Sequence, residues 1–320
     1  MDKIRDKAMT YEEELKKNPE LKESDIQMLR EWCSKQAHLP KISDVQLALF
    51  HHSNYFRMEQ TKNTIETYYT VRTHVPEFFS NRDPVGSKEL LTHRIIEYIL
   101  LRHDDRTRKN NSYTITYTRL IDFDSSHYNY NDCMRFTNMV TDVWLRNEGT
   151  RPGHVLILNV HGVTLGHVGR LSPMGLKKFL FYLQEALPVR LKRIHVINIS
   201  PVMDIIMGMM KPFMKKELFE LVLVRLSLLL SDDTNLLVTY AFTSLEKFMP
   251  VDALPNGDGG KGGDVTDLAA EIVKLLEDNR AWFQIEEATM RVNESLRPGK
   301  GKTSTDLFGV EGSFKKLDID

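Results

Sequence analysis

Two short apolar runs with one helix between them constrain this chain more than any other feature. HVLILNV (154–160) places Val155 and Ile157 on one side and Leu156, Leu158 and Val160 on the other, leaving no polar face for water. Such a strand belongs in a parallel sheet covered on both faces. RIHVINI (193–199) is the second run. Between them Ser172 and Pro173 supply a cap and a first-turn proline, Phe179, Leu180, Leu183 and Leu187 form one stripe, and Pro188 ends the helix. A strand, a crossover helix and a second strand in one sheet form a right-handed parallel unit. The fold class expected is α/β.

Upstream, Ile26, Leu29, Trp32 and Cys33 recur at helical spacing behind Ser24-Asp25 and ahead of Pro40. A second helix starts at Ser43-Asp44, and a third runs from Arg57 to His74 until Pro76 stops it. Residues 1–85 thus read as a small all-helical domain ending in the turn-rich NRDPVG. YTITYTRLI (113–121) reads as a strand, and about 131–146 as a helix carrying Phe136, Val140, Val143 and Trp144. NGDGGKGG (256–263) reads as a flexible connector, 264–283 as one capped amphipathic helix, and RPGKGKTS as a segment without order, followed by DLFGVEGSF as a docking patch.

Directly after the second core strand comes PVMDIIMGMMKPFM (201–214), which holds five of the chain's 14 methionines. It is too short to span a bilayer, which takes about 20 apolar residues. A core helix accounts for the pattern equally well. Three details favour a lid over a greasy cavity: methionine adapts to irregular apolar partners, the apolar residues cover nearly the whole circumference, and Lys211, Lys215 and Lys216 follow at the far end. Arg190, Lys192 and Arg193 form a second basic cluster, which reads equally as a solvated start to a strand. The apolar stretch 218–242 is interrupted by Glu220, Arg225 and SDDTN, and reads as strands or buried helix ends.

Composition excludes several functions. Forty-three Lys and Arg against 44 Asp and Glu leave no global field for nucleic acid. The first twenty residues show no signal peptide, so a cytoplasmic protein is expected. Cys33 and Cys133 lie far apart and read as reduced and buried. Gly162, Gly166 and Gly169 miss the dinucleotide spacing, and GKT (301–303) has Leu296 where a phosphate loop needs glycine. Ser244 to Lys247 is an isolated S-x-x-K match. His51, His52, His154, His161 and His167 lack metal-site spacing and read as structural. No catalytic residue, metal or cofactor is expected, and no enzyme.

Residues 183–216, LQEALPVRLKRIHVINISPVMDIIMGMMKPFMKK, resemble the core of the CRAL-TRIO lipid-binding family, which includes tocopherol and retinaldehyde carriers. VLILNVHGVTLGHVGRLSP resembles the family's first core strand and loop, WCSKQAHLP and YYTVRTHVPEFF its helical N-terminal domain, and residues 297–320 the tail of insect members. The resemblance covers almost the whole chain. It implies the helical domain (1–85), a lipid-binding domain (86–263) with a mostly parallel sheet, flanking helices and a mobile gate helix, and a C-terminal helix and tail (264–320).

By the family's pattern the ligand would be lined by Leu156 and Leu158 on the first strand, Val163 in the loop, Phe179 and Leu183 on the helix, Leu191 and Ile194 at the second strand, and Met207 and Met210 on the gate. Arg190 and Lys192 match positions that engage phosphoinositides in tocopherol carriers, and Lys211 is set to join them. The implied function is a cytoplasmic monomer that binds one lipid (a tocopherol, retinoid, carotenoid or similar) and passes it between membranes, docking on phosphoinositide surfaces. The alternative is a phosphoinositide-reading adaptor that carries no cargo. The chain departs from the pattern at His52, Glu217 and Leu221, where basic residues are usual, at Asn159, where Asp is usual, and over about 223–240, where it is longer.

Overall fold

The computed structural model describes residues 7–86, 96–102, 113–224, 252, 254–256 and 258–309. The N-terminal part contains α1 (Tyr11–Lys17), α2 (Glu23–Ser34), α3 (Asp44–Ser53), α4 (Met58–His74) and α5 (Pro76–Phe79). Thr10 with Glu13, and Ser43 with Gln46, close capping boxes at α1 and α3. α2 begins one residue before the expected cap: Lys22 takes the N-cap position, and Ser24 and Asp25 lie inside the first turn. Ile26, Leu29, Leu47, Ala48, Phe50, Ile65 and Tyr69 form the core these helices share.

The sheet has five strands in the order β1 (Ile96–Arg102), β2 (Thr114–Leu120), β3 (His154–Asn159), β4 (Leu191–Ile197) and β5 (Val222–Val224). β1 runs antiparallel to β2, with Ile96 opposite Leu120, and the remaining pairs are parallel. β1 was not expected, because a short apolar run such as IEYILLR carries no period that separates strand from helix. The expected extension at about 223–240 lies outside the described residues from 225 onward, as does the Ser244 to Lys247 match.

Crossovers are made by α6 (Tyr130–Glu148) between β2 and β3, and by α7 (Leu165–Val168) and α8 (Pro173–Glu185) between β3 and β4. α9 (Val202–Met210), a single 3-10 turn (Lys211–Phe213) and α10 (Lys216–Leu221) join β4 to β5. The C-terminal part holds α11 (Val265–Asp278), α12 (Arg280–Thr289), a 3-10 turn (Glu294–Leu296) and α13 (Ser304–Phe308). One sheet face, with Ile115, Tyr117, Val155, Ile157 and Ile197, packs on Leu254 and Val265. Both faces of β3 are therefore covered, as its sequence requires.

Three expectations for the C-terminal part are corrected. The single helix over 264–283 is two, broken at Asn279, whose Nδ2 donates to the Leu275 carbonyl of the preceding turn. The described residues of the connector are tied down: the Asn256 N–H donates to the Gly263 carbonyl, and Asp258 accepts from the Tyr117 hydroxyl at 2.7 Å. The segment 297–304 is docked, since Arg297 pairs with Glu66 and Glu294 and α13 buries Phe308 against Phe181. Charge pairing and one aromatic anchor order a stretch whose composition alone suggests none.

A buried ionic cluster joins three parts of the chain. Arg72 of α4 reaches Asp142 of α6 and Glu286 of α12, each at 2.7 Å. Arg82 contacts the same two carboxylates at 2.5 and 2.7 Å. Burial alone would raise the Glu286 pKa, but Arg72, Arg82 and Arg291 outweigh it and hold the carboxyl at about 2.

Candidate functional site

On the second sheet face the alternation of each strand sends Thr116, Thr118 and Leu120 (β2), Leu156 and Leu158 (β3) and Ile194 and Val196 (β4) toward one cavity of about 280 Å³. α8 supplies Phe179, Leu180 and Leu183, and α9 supplies Met203, Ile206, Met207 and Met210. The volume lies near the lower edge of the ~300–1,000 Å³ usual for small-molecule sites, and the walls are overwhelmingly apolar.

Eight of the nine ligand-lining residues expected from sequence meet here: Leu156, Leu158, Val163, Phe179, Leu183, Ile194, Met207 and Met210. Leu191 does not. It is the first residue of β4, separated from Arg193 by a register shift opposite His154/Val155, and faces a neighbouring cleft with Ser53, Asn54, Glu217 and Leu221. Sequence reasoning missed the polar wall residues Thr118, Tyr130 and His167. No apolar pattern flags them; the only signal was Thr164 three residues before His167, a capping-box spacing.

The Met-rich segment forms α9, with Met203 buried and Ile205 47% exposed, so it presents apolar side chains both to the cavity and outward. Its far end is held by α8. Gln184 Nε2 donates to the Phe213 carbonyl at 3.1 Å, and the Lys215 N–H donates to Gln184 Oε1 at 2.6 Å. Lys211 lies over the exposed Phe219 ring, 5.8 Å from its centroid.

Arg190 and Lys192 meet at Tyr55. The Arg190 guanidinium stacks on Tyr55 at 4.3 Å and its Nε donates to the His52 carbonyl at 2.8 Å, while Lys192 Nζ donates to the Tyr55 hydroxyl at 3.0 Å. Tyr55 and Phe56 both take positive φ, a costly backbone for aromatic residues that the turn between α3 and α4 enforces. Burial, then Arg190, Lys17 and Lys192, push His52 down to about 3, so it is neutral and adds no basic group here. Arg190 therefore ties β4 to the helical part, and Lys211 has a different aromatic neighbour.

Asn159, at the C-terminal end of β3, donates to the Tyr117 hydroxyl at 2.8 Å and to Asp258 at 3.2 Å, and accepts from Asn198 Nδ2 at 3.0 Å. An amide can face Asp258; a second carboxylate would repel it. The two cysteines are free, and burial pushes their thiols up to about 11 (Cys33) and about 12 (Cys133). Among the described residues no helix is long and apolar enough to cross a membrane.

A helical unit joined to a mostly parallel sheet, with an apolar pocket on one face roofed by a short helix, defines a two-part α/β pocket protein. Comparison with known proteins places it further. The model described as "CRAL/TRIO domain" matches residues 106–260, and that described as "Pinta-like, UBA domain" matches 18–89. Proteins named alpha-tocopherol transfer protein-like from Homo sapiens and Mus musculus are each 26% identical, over 83% of this chain and 73% of their own length. The crystal structure of Sfh5 aligns with TM-score 0.46 and 14% identity, over 86% of this chain and 85% of that one. Residues 106–260 thus match a CRAL/TRIO domain, and the comparisons together support a place for the chain among the CRAL-TRIO lipid-binding and lipid-transfer proteins.

Proposed function

We propose that this chain is a cytoplasmic carrier that encloses one small lipophilic molecule and passes it between membranes, with no chemical step. The observation that carries the proposal is the apolar cavity between the sheet and α9. A site walled by Leu, Ile, Met and Phe gains free energy by removing a cargo's apolar surface from water, at about 25 cal/mol per Å². The names of the relatives point to tocopherol, and the cargo class we propose takes in tocopherols, retinoids, carotenoids and similar molecules. α9 acts as the gate: its outward Ile205 is available to a membrane while Met207 and Met210 cover cargo.

Docking would use Lys192 and Lys211 with Arg190 behind them, each basic residue contributing about 1 kcal/mol at an anionic surface. Arg190 is already committed to His52 and Tyr55, so it serves the fold first. The test is transfer of a fluorescent tocopherol or retinoid from loaded monomeric protein to acceptor vesicles with and without phosphoinositide. Transfer that rises with phosphoinositide and falls in Lys192→Ala/Lys211→Ala supports the whole reading. Vesicle binding without any cargo uptake would replace it with the adaptor.

A further inference from the structure

The cavity wall contains three buried polar atoms that have no hydrogen-bond partner among the described residues. Tyr130 is 6% exposed and His167 3%, and both line the cavity. The atoms are the Tyr130 hydroxyl, His167 Nε2 and Thr118 Oγ1, each buried and unpaired among the described residues. Leaving such groups unpaired costs about as much as a lost hydrogen bond, so three around one cavity call for an explanation.

The protonation of His167 follows from its other nitrogen. The Thr164 backbone N–H lies 3.2 Å from His167 Nδ1. A backbone N–H can only donate, so Nδ1 accepts and the ring proton sits on Nε2. Burial also lowers the His167 pKa, which keeps the ring neutral. Nε2 is thus a fixed donor lacking an acceptor, beside two hydroxyls that can donate or accept. Arg119 is the one charged side chain among the described wall residues, and it pairs with Asp258 at 3.5 Å.

We propose that Tyr130, His167 and Thr118 form a polar subsite for the head of the cargo, and that this head is a single uncharged oxygen, a hydroxyl or carbonyl. The proposal rests on the carrier reading and narrows its cargo. A hydrocarbon leaves all three groups unpaired. A carboxylate or phosphate brings a charge into an apolar site whose only described cation is already taken. The subsite lies on β2, the start of α6 and α7, whereas α9 contributes only methionine and isoleucine. The fixed wall therefore reads the head, and the gate supplies apolar contact alone.

The test uses four ligands that differ only at one terminal carbon: dodecane, dodecanol, dodecanal and dodecanoate. Each displaces the uncharged fluorophore N-phenyl-1-naphthylamine from full-length, delipidated protein. In Tyr130→Phe and His167→Leu, selectivity for dodecanol over dodecane should fall about five- to tenfold, the loss of one hydrogen bond. His167→Gln, which can still donate, should restore most of it, and dodecanoate should bind the unmodified protein more weakly than dodecanol. Selectivity unchanged in both variants, or dodecanoate binding tightest, overturns the subsite while leaving the carrier intact. Displacement by none of the four overturns the carrier reading itself, and the subsite with it.

Discussion

Gln184 holds the far end of α9 in place, and replacing it with methionine should loosen the gate without disturbing α8. Methionine keeps the length and helix propensity of glutamine but neither accepts nor donates at that position. The substitution removes the bonds to the Phe213 carbonyl at 3.1 Å and from the Lys215 N–H at 2.6 Å, and with them a bond to the Leu180 carbonyl at 2.8 Å that lies within α8 and does not reach the gate. Each is worth about 0.5–1.5 kcal/mol net, so the closed arrangement loses about 1–3 kcal/mol. That corresponds to a roughly 5- to 150-fold larger open population, and the partial exposure of Gln184 favours the low end. The neighbouring Lys215–Glu185 pair, whose lysine is exposed, offsets little of this. Amide hydrogen exchange over 202–214 reads the change directly, as faster exchange by that factor with protection of β3 and β4 unaltered. Equal exchange in the two proteins, or a uniform loss across the sheet, would refute a latch at this residue.

Asp142→Asn should lower stability by about 3–5 kcal/mol in urea unfolding, because Arg72 and Arg82 remain buried with half their counter-charge removed. The Glu286 carboxyl, at about 2 in the folded chain against its usual 4.5, contributes stability that is complete above about pH 4.5 and lost as pH falls toward 2. Unfolding followed by circular dichroism should therefore steepen over that window, and Glu286→Gln should be less stable at pH 7 yet flatter below 4.5. Asn159→Asp should cost about 1–3 kcal/mol in melting experiments near neutral pH by setting a second carboxylate against Asp258. An unchanged melting point would mean that the two groups are not neighbours in solution.

The sequence disclosed the β3–α8–β4 unit because both faces of β3 are apolar and Ser172, Pro173 and Pro188 mark the helix. The cavity-wall residues came from the resemblance to the CRAL-TRIO family, and alternation along the strands accounts for Leu156 and Leu158 sharing a face. Leu191, expected from the same family pattern, instead lines the neighbouring cleft from the first position of β4. The polar subsite atoms stayed hidden because a buried tyrosine and a buried histidine have no period. The tail was misread because its order comes from Arg297 meeting Glu66, a partner 231 residues away. Local composition cannot report such a contact.

The Arg72–Arg82–Asp142–Glu286 cluster also bears on modularity. Its members come from the helical part, the first crossover helix and the C-terminal helix. Cutting the chain after the helical part would strip Asp142 of both its arginines and leave Glu286 with Arg291 alone. The pocket-bearing portion is therefore not a transplantable module: expressed alone it inherits a buried Asp142 with no counter-charge and a Glu286 that has lost two of its three arginines, so the natural unit of inheritance and of engineering is the two parts together.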